Sequence, residues 1–227
     1  MALIPSVKQG QVQAGINKAR AQAVKVHCSE AIAANDILVV TGIHSPSNVL
    51  SVAKADANDI TKCRGPFYVA DYAAASGDIT PVALPWKLIT GVNTSGSHVG
   101  KAVYLADTAG NVILTQPAVV VDNDPFRFQI QVGRVVSVDA SDGAYVLQPS
   151  QASPGAPLVA RVETGNNTST ARMQGLANLN GFPVLATTIE DDGNGEVQSA
   201  AISGGTLTVT LTGNATGVKE VAVMIWA

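Results

Sequence analysis

A chain of 227 residues with 46% apolar side chains is long enough to bury a substantial core, but with only 4% aromatics that core has to be built from Val, Ile, Leu and Ala. Charged residues make up 14%, against roughly 25% in an average soluble domain, so Ser, Thr, Asn, Gln and Gly, or other protein, must cover the surface. No window approaches the roughly 20 apolar residues of a membrane-spanning helix, and "MALIPSVKQGQVQAGINKAR" has no apolar stretch of the length a secretory signal needs.

The net charge of −3 hides an asymmetry. Residues 1–29 carry Lys8, Lys18, Arg20 and Lys25 and no carboxylate, so the other ten basic residues share the rest of the chain with all seventeen acids. Four dispersed charges with no aromatic among them are a poor match to a nucleic-acid surface, and direct nucleic-acid binding is not expected. Residues 1–23 mix Gly, Gln, Asn, Lys and Ala around Pro5 without a sustained period, which predicts an extended arm.

From Val24 the pattern changes to short β-type runs bounded by turn residues. "AVKVHC" is the first predicted strand. Asn35-Asp36 turns the chain into the apolar run Ile37 to Val40, and "NVLSVAKAD" alternates Val49, Ser51 and Ala53 against Leu50, Val52 and Lys54. "DANDITK" reads as a short helical turn. "PFYVADYAA" and "WKLITGV" read as strands separated by a loop around Pro81 and Pro85, which an edge position would accommodate because proline cannot donate to a central ladder. Trp86 is expected to plug the core.

Two stretches repeat one grammar: "GKAVYLADTAGNVILTQP" at 100–117 and "GRVVSVDASDGAYVLQPS" at 133–150. Each reads as a hairpin, with Asp107 and Asp142 accepting backbone hydrogen bonds and Gly110 and Gly143 taking the left-handed position. "AVVVDNDPFRFQIQVG" between them predicts a further pair of strands around "DNDP". "QPSQASPGAP", spanning 148–157, reads as a linker, dividing a main β-domain over 24–147 from a smaller β-sandwich-like unit over 158–227. In that unit "TLTVTLT" alternates strictly, with Leu207, Val209 and Leu211 on one face. The expected fold class is all-β: a barrel or sandwich-like main domain, an extended arm and a second β-unit.

Reaction chemistry is not legible. His27, His44 and His98 have no metal-ligand spacing, and His27-Cys28 with Cys63 is too generic a set for zinc. "DDGNGE" lacks the order of a helical calcium loop, and no nucleophile elbow or phosphate loop is present. Ser97 and His98 are adjacent, so on a strand they face opposite ways. Asp122 and Asp124 read as a solvated turn pair. No enzyme activity, cofactor or metal is expected, and Cys28 and Cys63 read as small buried hydrophobes rather than a disulfide.

The succession "DILVVTG…VLSVAKADA", "GKAVYLADTAGNVILTQP" and "VGRVVSVDASDGAYVLQPS" resembles the head decoration, or cement, proteins of tailed bacteriophages and the short β-modules of phage head and tail proteins. The resemblance covers roughly residues 30–150; "ISGGTLTVTLTG…KEVAVMIWA" looks like the terminal β-module of other virion proteins. It implies a homotrimer on the capsid surface, assembled in the host cytoplasm, that stabilises the shell by bridging subunits of the major capsid protein. In that setting Leu3, Ile4, Val7, Val12 and Ile16 would anchor the arm, and Lys8, Lys18, Arg20 and Lys25 would meet carboxylates. A tail, baseplate or fibre component, and a carbohydrate- or surface-binding β-module, are the alternatives.

Overall fold

The computed structural model describes residues 23–149, 157–165, 168–189, 195–213 and 217–226. Strands β1 (Val24–Cys28), β2 (Ile37–His44), β3 (Val49–Lys54), β4 (Phe67–Ala70) and β5 (Ile79–Leu84) close into a barrel in the order β1-β3-β2-β4-β5. Its one parallel pair is β1 with β3, where Val26 lies opposite Leu50. Asn35 takes a φ of +73°, and Asp36 Oδ2 accepts the Ala33 N–H at 2.7 Å, which forms the turn expected before β2. The apolar run of β2 is buried on both faces: Leu38 joins Val26, Cys28, Val52 and Val82 inside the barrel, while Ile37 and Val39 face the adjoining sheet.

Two expectations in this region change. "DANDITK" forms turns rather than helix. Pro81 lies within β5, a strand that pairs with both β1 and β4, rather than in an edge loop. The barrel has no edge to offer, and the ladder adapts instead: the β1–β5 register slips between Val24 and Val26, opposite Pro81. The missing donor thus falls at an irregularity.

Strands β6 (Lys87–Val92), β7 (Ala102–Leu105), β8 (Val112–Ile113), β9 (Asp124–Pro125), β10 (Gln131–Ser137) and β11 (Gly143–Leu147) follow. All but β9 form a sheet in the order β6-β11-β10-β7-β8. The repeated stretches are its two hairpins, β7–β8 and β10–β11, set side by side by pairing of β10 with β7. Ile89, Val103, Leu105, Val132 and Leu147 share one buried cluster with Ile37, Val39, Phe67 and Val69 of the barrel.

The C-terminal strands are β12 (Leu158–Glu163), β13 (Thr170–Gln174), β14 (Val184–Thr188), β15 (Val197–Ser203), β16 (Thr206–Leu211) and β17 (Glu220–Ile225). They form the sheets β12-β17-β14 and β15-β16-β13-β9. Leu207, Val209 and Leu211 are buried as the alternation predicts, and Gly204 and Gly205, both at positive φ, turn β15 into β16. The "DNDP" segment is not a strand pair. It crosses to the C-terminal sheets, with Val120 bridging Val162, β9 parallel to β13, and the Gln129 N–H bonding Val159 O at 2.7 Å. Phe126 and Phe128, ring centroids 4.8 Å apart, carry the apolar core along it, so one cluster runs from Ile37 to Ile225. Residues 150–156 of the expected linker lie outside the described residues.

Candidate functional site

Of the residues expected to hold a partner, Leu3, Ile4, Val7, Lys8, Val12, Ile16, Lys18 and Arg20 lie outside the described residues. Lys25 lies inside them, exposed on the outer face of β1. Two residues along the same face, His27 stacks on His44 of β2 with ring centroids 3.9 Å apart and planes 10° from parallel. Their Nδ1 atoms lie 3.2 Å from Ser51 Oγ and 2.7 Å from Ser47 Oγ.

The four turn residues divide by role. Gly110 has a φ of +83°, and its backbone docks the β7–β8 hairpin on the barrel: its N–H bonds Ala55 O at 2.7 Å and its carbonyl accepts from Ile37 at 2.8 Å. Gly143 is not left-handed. It is glycine because a Cβ there would stand 2.0 Å from Thr94 Oγ1 and 2.7 Å from Val92 O. Asp142 is not the acceptor in its turn. Asp139 Oδ1 accepts the N–H groups of Ser141 and Asp142 at 2.8 and 2.9 Å, and these bonds hold its carboxyl below the ordinary range. Asp107 pairs with Arg127 at 3.7 Å instead of closing its turn.

Cys63 is buried and its thiol is pushed up to about 12 by that burial; burial and the neighbouring Asp78 raise Cys28. Asp122 Oδ1 accepts the Arg172 N–H at 2.8 Å. Among the described residues no three His, Cys, Asp or Glu side chains gather as a ligand set. No helix among them is long and apolar enough to cross a membrane.

Among the described residues, two sheet faces carry exposed large apolar side chains beside charged ones. On the outer face of the first, Leu88, 50% exposed, lies beside Val146, with Val136 exposed on the neighbouring strand. Trp86 is 46% exposed, not a core plug: it sits outside β6, whose inward residue is Ile89. On the second, Val159, Met224 and Leu185 stand in one row across β12, β17 and β14, with Trp226 just beyond the end of β17. Leu185 is 54% and Trp226 41% exposed. Alternation in "WKLIT" and "VAVMIW" carries this signal, since Ile89 and Ile225 facing inward leave Leu88 and Trp226 facing out.

No family model, curated protein or solved structure matches this chain.

Proposed function

We propose that this chain is a structural protein of a tailed-bacteriophage particle, binding the outer surface of the capsid as a homotrimer and bridging subunits of the major capsid protein. The observation that carries the reading is the set of large apolar side chains exposed on two sheet faces, around Leu88 and around Leu185 and Trp226, on a chain with only 14% charged residues. Interface cores are depleted of charge and enriched in large apolar and aromatic groups. Such surfaces suit a body that adds contact area between neighbours, and the work is mechanical, with no bond made or broken. The sequence resemblance over residues 30–150 supplies the setting, and residues 1–22 supply apolar and basic groups for attachment.

Gold-labelled antibody against the chain, viewed on particles from the lysate that carries it, tests the proposal. Label spread over heads supports capsid decoration. Label confined to one end of the tail would replace it with a tail or baseplate role, and unlabelled particles would end the virion reading.

A further inference from the structure

Strand β6 is an open edge. In the β10–β11 ladder the Gln148 N–H bonds Val132 O, and bonded and unbonded pairs alternate along an antiparallel pair. Leu147 and Tyr145 therefore turn their backbone groups to Lys87 and Ile89 of β6. The N–H and C=O of Leu88 and Thr90 point the other way, where β6 has no neighbouring strand among the described residues. Exposed edges are ordinarily guarded by a lysine, a proline or a covering segment. The lysine here is engaged elsewhere: Lys87 Nζ is held by Ala70 O at 3.3 Å, Asp71 O at 2.7 Å and Asp71 Oδ1 at 3.3 Å.

We propose that an extended stretch within residues 1–22 of the same chain covers this edge as an added strand. Three observations identify the occupant. Val24 pairs with Ala83, so the chain joins the barrel opposite a residue three before Trp86 and four before the start of β6 at Lys87. Twenty-two residues span up to about 70 Å when extended, several times what the six residues of β6 require. Charge is complementary: the segment holds Lys8, Lys18 and Arg20 and no acid, while the far end of β6 adjoins the turn bearing Asp139 and Asp142, exposed carboxylates with no cationic partner among the described residues. Backbone bonds would supply the attachment, and the exposed Trp86 and Leu88 the apolar contact. The inference does not depend on the virion reading, and a strand the length of β6 leaves the rest of residues 1–22, and the face around Leu185 and Trp226, for attachment to a partner.

Amide hydrogen exchange on the full chain tests it. The Leu88 and Thr90 amides should exchange at least about 100-fold more slowly than in an unstructured peptide, independently of protein concentration. Replacing residues 1–22 by a Gly/Ser sequence of equal length should return both to the unprotected rate while the Val39 and Leu207 amides stay slow. Thr90→Pro deletes only an outward-facing donor, so it should release the Leu88 amide and leave the Val39 amide protected. Fast exchange at Leu88 and Thr90 in the native chain would overturn the proposal. So would protection that survives the Gly/Ser replacement, or that grows with concentration, which would assign the edge to a second copy.

Discussion

Gly110 and Gly143 hold equivalent places in the two repeated hairpins, yet glycine is needed for different reasons. At Gly110 the backbone is left-handed and a Cβ would press on Asp36 Cγ at 2.8 Å; at Gly143 the conformation is ordinary and the obstacle is Thr94 and the Val92 carbonyl. Gly143→Ala should therefore destabilise by about 1–3 kcal/mol through overpacking, and combining it with Thr94→Ala should recover part of the loss, since Thr94 Oγ1 is the nearest obstacle. Gly110→Ala should lose at least about 1–2 kcal/mol through its left-handed backbone, with the close approach to Asp36 adding to the loss, and no recovery from Thr94→Ala. Denaturant midpoints of the three single and two double variants separate the cases. Asp139 supplies a pH signature in the same turn. Its carboxyl titrates below the ordinary range because of the Ser141 and Asp142 N–H bonds, so its contribution is full above the unfolded-state value near 4. That contribution is lost as pH falls through the folded-state value. The stability gap between the native chain and Asp139→Asn should close on titration from pH 5 towards pH 2, and a constant gap would show that these bonds do not govern the turn.

At the scale of elements, alternation is the signal that carries furthest. Leu207 is fully buried in β16 and Thr208 is half-buried on its other face. Leu207→Ala should cost about 2–5 kcal/mol, and Thr208→Ala less than about 1 kcal/mol, measured by thermal or denaturant unfolding. The same reasoning located β1 to β4, β6, the two repeated hairpins and β16, because strand runs and turn residues are local properties, but it read β5 as a loop. It failed where the outcome depends on distant partners. Pro81 looked like an edge residue because its sequence does not reveal that β1 can slip past it. Trp86 looked like core because size suggests burial, whereas its place outside β6 follows from which face the barrel covers. Asp142 and Asp139 compete for one turn, and only the three-dimensional path of the chain selects Asp139. The crossing segment around Phe126 and Phe128 has no periodicity to announce it. The partner-binding residues proposed for the arm rest on composition and resemblance, and the exposed apolar side chains around Leu88 and Trp226 emerge only once strand register is known.

Across the whole molecule, the barrel, the central sheet and the C-terminal sheets share a cluster that runs through Phe126 and Phe128. A shared core couples unfolding. Trp86 lies between β5 of the barrel and β6 of the central sheet and Trp226 just after β17 of the C-terminal sheets, so the single-tryptophan chains Trp86→Phe and Trp226→Phe should melt at the same temperature by fluorescence; separated transitions would mean that the crossing segment does not couple the parts. The proposed role places this body between capsid neighbours, where its exposed faces would add contact area. The most direct measurement is the temperature at which particles lacking the protein release their DNA, before and after adding the purified chain. The account predicts that the chain binds and raises the release temperature. Binding without any rise, or no binding, would contradict it.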